Sequence, residues 1–418
     1  MKQSVLFILL ISFAFFACKK SDNTPTQPVS TDPTITTINP NSGGYGTTVT
    51  ITGTNFSTTA ASNSVSINGK AAVVQTATAT SLTVLVPVAA GTGAVSVTTN
   101  GKSATGPVFT YNYTLFVTGD ESNGSHDVAK YWKNGVATAI SDGTSNVYTN
   151  GIAVNGNDVY ASGYEISGTY DIAKFWKNGV ATVLSAPNHI SNAGQIKLSG
   201  NDVYVVGFET NGGPNGIAKY WKNGVATALT DGTKNANAFT IFVSGTDVYV
   251  AGKEFNGTNY IAKYWKNGVA KPLSTNDGDC NDIVVSGTDV YVAGYESNGS
   301  HLIAKYWKNG VATLLSNGAN DAGALGIAVV GSNVYVTGYE NSGITGVAKV
   351  WKNGVASSLS DGTHDAAAEQ IAVIGNDVYI AGYENNGTTY LAKYWKNGTS
   401  VNLTNGTHMA QALGLFLQ

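Results

Sequence analysis

The chain of 418 residues is long enough for two or three domains with real cores, and its 42% apolar content is that of a folded protein. Charged residues make up only 12%, the formal net charge is -3, and every basic residue is lysine. Nucleic acid is therefore excluded as a partner, because its recognition wants a basic face and arginine forks for phosphate and guanine. Fifty glycines among abundant Asn, Thr and Ser point to short strands and many turns.

Residues 1–17 hold Lys2, an apolar run from Val5 to Phe16, and Ala17 just before Cys18. The run is short for a membrane span and reads as an export signal. It resembles bacterial lipoprotein signal peptides, which implies that Cys18 is lipidated and becomes the mature N-terminus. Residues 18–32 are polar, rich in Ser, Thr and Pro, and form a flexible tether. With Cys18 lipidated, Cys280 is the one remaining thiol and no disulfide forms within the chain. Asp279 and Asp282 beside it oppose a thiolate, so a passive small residue is the expected role.

Residues 33–112 alternate apolar and polar positions over Thr48–Gly53, Val65–Asn68, Leu82–Val86 and Ala94–Thr98, the pattern of half-buried strands. The order Ile38-Asn39-Pro40, Gly43-Gly44, Val49 to Gly53, Asn55-Phe56, Val65 to Gly69, Val86-Pro87 and Phe109-Thr110-Tyr111 resembles the IPT/TIG family of immunoglobulin-like domains. That resemblance implies a small β-sandwich acting as a spacer or interaction module.

Residues 113–418 are organised by the phrase Lys-Tyr-Trp-Lys-Asn-Gly. It carries every tryptophan of the chain, at 132, 176, 221, 265, 307, 351 and 395, a period of about 44 residues. Each unit reads as four antiparallel strands with an Asn-Gly hairpin after the third. The repeat is similar to those of seven-bladed propellers in exported bacterial proteins. The first unit lacks a first strand and the chain ends on an orphan one, Gly414 to Gln418, so the C-terminal strand is expected to close a seven-bladed β-propeller. The fold class is thus all-β, an Ig-like sandwich followed by a closed propeller.

Within each unit a Gly precedes the Trp by 13 or 14 residues, and a Glu precedes a Lys by 9 or 10. These spacings predict that Glu384 faces Lys393 and Trp395 faces Gly382 across the hairpin, cementing the blades, with seven sugar-stacking tryptophans as the functional alternative. Function is expected where units differ, in the loops of the channel face. Those loops hold His126, Tyr170, His189, Tyr260, His301, His364, Tyr390 and His408 as candidate ligand contacts. Asp277, Asp279 and Asp282 make an oxygen-rich stretch in which calcium is conceivable, although the spacing fits no EF-hand; no other cofactor is expected. The histidines lack zinc spacing, and neither a Gly-x-Ser-x-Gly elbow nor a phosphate loop occurs. The resulting expectation is a lipoprotein of the outer membrane, anchored through Cys18, that binds an extracellular glycan or protein. A polysaccharide-degrading enzyme with loop carboxylates and a structural envelope protein stand as alternatives.

Overall fold

The computed structural model describes residues 31–418; the signal-like segment and Cys18 lie outside the described residues. The chain is β throughout apart from one turn of 3-10 helix at Ala60–Ser62.

The first domain wraps two sheets around one core. One sheet contains Thr34–Asn39, Thr48–Thr54 and Ser81–Leu85; the other contains Asn63–Ile67, Gly93–Thr99 and Lys102–Tyr111. The strand Lys70–Ala77 joins them, pairing with Ile67 and Val65 at its start and with Leu85 to Leu82 at its end. Alternate residues point inward, so Val49, Ile51, Leu82 and Val84 meet Val65, Ile67, Val95, Val97 and Phe109 in a dry interior. This is the aliphatic and aromatic sandwich core expected of a domain without a disulfide.

Seven four-stranded sheets follow. Blade two, Val147–Asn155, Asp158–Ser167, Tyr170–Lys177 and Val180–Val183, shows the plan, the order in the sheet being the order in the chain. Blade one differs as the sequence predicts. Its strands Leu115–Ser122, Asp127–Lys133 and Val136–Ala139 take their innermost partner from Ala410–Leu417, with Leu417 opposite Leu115 and Ala410 opposite Glu121. Thr114 and Gln418 exchange backbone hydrogen bonds at 2.8 and 3.0 Å. The ring is closed without an open inner edge. The innermost strands run longer than the sequence predicts: the closing strand begins at Ala410 rather than Gly414.

Each third strand ends in Asn-Gly with positive φ at both residues, such as Asn309 at 54° and Gly310 at 91°. The Asn side chain then accepts from the start of the second strand, as Asn309 Oδ1 does from Val290 N at 2.9 Å, and donates to Asp289 at 2.8 Å.

The tryptophans are buried at the blade interfaces. Trp307 of blade five packs against Tyr249, Ala251 and Ala262 of blade four together with Cys280, Ile283 and Val292 of its own blade. Trp395 also donates Nε1–H to Leu359 O of the preceding blade at 3.0 Å. At 0 to 4% exposure, none of the seven can offer a face to a sugar, and that alternative is set aside. The predicted Glu–Lys pairs all form, for example Lys130 with Glu121 and Lys305 with Glu296 at 2.6 Å, and Lys349 with Glu340 at 3.3 Å.

Their register, however, differs from the prediction by two residues. Lys393 stands opposite Gly382, Glu384 opposite Leu391 and Trp395 opposite Ile380, so the ion pair is diagonal. The glycine has a different reason to exist. In every blade it pairs with the innermost strand just before a β-bulge; a Cβ on Gly207 would stand 1.9 Å from Asn192 O, and one on Gly294 2.0 Å from Asp279 O. The close approach of backbone at the bulge excludes any side chain there, and at Gly382 the expected Trp395 indole is also present, 3.0 Å from where a Cβ would stand. Cys280 fills the small buried position that Ala holds in most blades, and burial pushes its thiol up, so it is passive packing.

Candidate functional site

The bulges build the site. In each innermost strand the small buried residue before the bulge (Thr149, Ala193, Ala238, Cys280, Ala324, Ala368 or Ala412) is followed by two residues and then Ile or Leu. The bulge turns the first of the two toward the axis. Those seven residues, Asn150, Gly194, Phe239, Asn281, Leu325, Glu369 and Leu413, all line one cavity of about 300 Å³ at the centre of the ring. Asn192 and Phe208 widen its wall toward the loop face, and Gln195 and Gln370 form part of its lower lining.

The second residue of each pair is Gly151, Gln195, Thr240, Asp282, Gly326, Gln370 or Gly414. Its four side chains reach across the axis and bond to one another. Asp282 Oδ1 accepts from Gln195 Nε2 at 3.2 Å and Thr240 Oγ1 at 3.0 Å, and Oδ2 accepts from Gln370 Nε2 at 3.1 Å. Gln195 Nε2 also donates to Gln370 Oε1 at 2.9 Å, and the one hydroxyl hydrogen of Thr240 is shared between Asp282 Oδ1 and Gln195 Oε1, each 3.0 Å away. Backbone N–H groups of Ile283 and Ile327 complete the acceptance of Asp282 at 2.9 and 3.0 Å. This network joins blades three, four, five, six and seven and closes the channel below the cavity. The three glycines sit where packing leaves no room; a Cβ on Gly326 would lie 2.7 Å from Glu369 O.

Several acceptors of the cavity are left open. Asn150 donates Nδ2 to Asn192 Oδ1 and Ala193 O at 3.1 and 2.8 Å, and Asn281 donates Nδ2 to Ala324 O at 2.9 Å. Both Nδ2 hydrogens of Asn150 and one of Asn281 are thereby taken by the next blade, while the two Oδ1 acceptors have no partner among the described residues. The Glu369 carboxyl likewise meets no hydrogen-bond donor or cation among them, and burial pushes it up to about 7. No basic side chain lines the cavity.

Above this tier, the residue after the second-strand glycine is Tyr164, Phe208, Tyr295, Tyr339 or Tyr383 in five blades, Asp120 in blade one and Lys253 in blade four. Lys253 pairs with Asp279 at 2.6 Å, with its ammonium 5.5 Å from the ring centre of Phe239 and 5.2 Å from that of Tyr260. Asp120 is 4% exposed and its Oδ1 has no partner; burial first, and then Asp127, push it up to about 7.

The loop residues singled out from sequence do not come together at this cavity. His189 Nδ1 lies 3.2 Å from Glu209 Oε1, and His301 Nδ1 3.4 Å from Asp321 Oδ1. Tyr260 accepts from Asn235 Nδ2 and Tyr390 donates to Asp365 Oδ2, both at 2.8 Å. His364 sits 3.1 Å from Thr363 Oγ1, His126 is held through its backbone N–H by Asn123 Oδ1 at 2.8 Å, Tyr170 opens a third strand opposite Ser167, and His408 lies in the final link. They are distributed around the face, and His189, Tyr260, His364 and Tyr390 are tied to neighbouring loop or strand residues.

Nor are the three aspartates a calcium site. Asp277 Oδ1 accepts from Tyr260 N at 2.9 Å, Asp279 holds Lys253, and Asp282 is committed to the axial network. Alternation along the strand and the bulge at Asn281 separate the three carboxyl groups, and no metal-ready cluster of three such side chains occurs among the described residues. The signal that could have found the cavity is the pair of variable residues inside an otherwise uniform strand: Asn-Gly, Gly-Gln, Phe-Thr, Asn-Asp, Leu-Gly, Glu-Gln, Leu-Gly.

Fold and site together define an all-β protein in which an immunoglobulin-like domain is joined to a closed seven-bladed propeller with a plugged axis. Residues 33–113 match the IPT/TIG domain family. A search of curated proteins finds no match. Among solved structures, similarity extends to a structural genomics protein of unknown function from Bacteroides thetaiotaomicron, 14% identical over 94% of this chain and 99% of that one, with a TM-score of 0.48. An auxiliary nutrient binding protein from the same organism is 14% identical over 84% of this chain and 94% of its own, with a TM-score of 0.35. The β-propeller domain of the Trilobed protease from Pyrococcus furiosus is 9% identical over 90% and 99%, with a TM-score of 0.41.

Proposed function

We propose that this is an exported protein, anchored to the outer membrane through lipidated Cys18, whose propeller binds the end of an extracellular glycan in the central cavity while the IPT/TIG domain serves as spacer. The observation that carries the reading is the placement of the variable bulge residues. A scaffold repeated seven times around the ring delivers its least repeated residue, from all seven blades at once, to one concave site with an even mixture of amides and apolar side chains. A volume of about 300 Å³ lies at the small end of ligand sites and suits one or two sugar rings rather than a protein segment. Amide groups and Glu369 match hydroxyls; Phe208, Phe239, Leu325 and Leu413 match the apolar faces of a pyranose.

Binding is favoured over hydrolysis because a carboxylate pair is needed to break a glycosidic bond. Asp282, the other acid on the axis, has both oxygens committed to five donors. The test is a glycan array on the chain from Ser21 onward, with product analysis of each hit. Retention of an intact glycan, weakened at least tenfold by Phe239→Ala, is the expected result. Shortened products would overturn the binding reading, and silence across the array would overturn the glycan.

A further inference from the structure

We propose that the central cavity selects a ligand presenting a primary ammonium group and, resting on the glycan reading above, that this group belongs to a terminal amino sugar with its amine free. Three independent features of the wall lead there. First, the unpartnered polar atoms include two amide oxygens, those of Asn150 and Asn281, and the Glu369 carboxyl, whereas both hydrogens of Asn150 Nδ2 are taken by Asn192 Oδ1 and Ala193 O and one of Asn281 Nδ2 by Ala324 O. An ammonium group brings three donors and no acceptor, which is the complement of that set.

Second, one charge on the wall is unanswered. Lys197 acts on Asp282 from below the floor network, but no lysine lines the cavity to answer the Glu369 carboxyl. A half-buried carboxylate among amides and apolar carbons is unfavourable alone and favourable beside a cation. Burial has already moved Glu369 up to about 7, so near neutrality the arrival of a cation is what holds it ionised. An N-acetyl group in the same place would present a carbonyl oxygen to three acceptors.

Third, the protein contains its own example of the interaction. One tier higher, Lys253 puts an ammonium group 2.6 Å from Asp279 and within 5.5 Å of the ring centre of Phe239, and Phe239 is itself a wall residue. Carboxylate and aromatic face around an ammonium is the arrangement by which organic cations are held elsewhere. At the axis the carboxylate and the rings are present and the ammonium is not part of the chain.

The experiment is isothermal titration, at pH 7 and low salt, of the chain from Ser21 onward with glucosamine tetramer, its fully N-acetylated counterpart, and cadaverine as an amine without a sugar. Glucosamine tetramer is expected to bind at least tenfold more tightly than either of the others. Glu369→Gln should erase that preference while leaving the melting temperature equal or higher, and Leu325→Lys, which places a cation in the wall, should weaken the amino sugar at least tenfold. Equal binding of the acetylated tetramer, unaffected by Glu369→Gln, would overturn the ammonium and leave glycan binding standing. Cadaverine binding as tightly as the tetramer would overturn the sugar. Failure of the three probes, with an array hit elsewhere, would overturn the amino sugar alone.

Discussion

At the blade interfaces one solution is used seven times: a buried Trp, a diagonal Lys–Glu pair and a glycine at the bulge. Along the axis the same units place two residues that differ from blade to blade, and these make the cavity and its floor. The interface is constrained because every blade must pack on an identical neighbour, so a residue that fits once fits seven times. The axis is constrained only as a whole. Seven side chains share one space, and filling it with seven copies of anything large would overpack it, which is why Gly151, Gly326 and Gly414 stand beside only four side chains, Gln195, Thr240, Asp282 and Gln370. Uniformity at the blade interfaces therefore carries stability, and in the proposed function variety at the centre carries specificity.

The sharpest way to break that contrast is to spoil one repeat of the wall. Trp307→Ala empties the space between blades four and five and is expected to destabilise by roughly 3–5 kcal/mol in denaturant titration. Gly294→Ala should follow, at roughly 2–4 kcal/mol, because its Cβ would meet Asp279 O at 2.0 Å and the bulge would have to move. If this alanine were neutral, the bulge would not be the reason for the glycine. At the axis, Asp282→Ala takes the acceptor from Gln195, Gln370 and the N–H groups of Ile283 and Ile327, while Thr240 keeps Gln195 Oε1, and should destabilise by roughly 2–3 kcal/mol.

Much of this was legible from spacing alone. The period of the tryptophans counts the blades, and the missing first strand with its orphan at Leu415 and Phe416 closes the ring. The Glu–Lys partnership was also visible, because nine or ten residues bring two long side chains within reach whether they stand opposite or diagonal. For the same reason the register was not: Lys393 reaches Glu384 from beside Gly382, and flexible side chains hide a two-residue slip that the backbone cannot. The cavity was missed because a bulge leaves no mark in the hydrophobic pattern. Asn150, Phe239 and Glu369 look like irregularities in a strand until the ring brings them face to face, whereas His301 and His364 stand out in sequence only because histidine is rare. Loops collect polar residues to fasten themselves, and that is what His189, His364 and Tyr390 do.

The finest test of the contrast is its pH dependence, because the two regions titrate in opposite senses. Glu296 in the wall is desolvated, yet Lys305 and the N–H groups of Asn276 and Thr275 prevail and hold it down to about 2. Glu165 and Glu209 are lowered in the same way, with Lys174 and Lys219 overcoming burial. A group whose folded value is depressed binds fewer protons than its unfolded counterpart, so this stability is present above about 4.5 and lost as pH falls toward 2. Asp120 at the mouth and Glu369 in the cavity are raised by burial to about 7. They bind more protons folded than unfolded, so their contribution is complete below about 4 and lost as pH rises through 7. Stability should therefore peak between about pH 4 and 5 and decline on both sides. Asp120→Asn, which removes the acid with the unpartnered Oδ1, is expected to flatten the upper limb by roughly 1–2 kcal/mol between about pH 5 and 8 and leave the lower limb unchanged. A variant that shifted both limbs equally would show that wall and axis are not electrostatically separate, and the division of labour between them would fail with it.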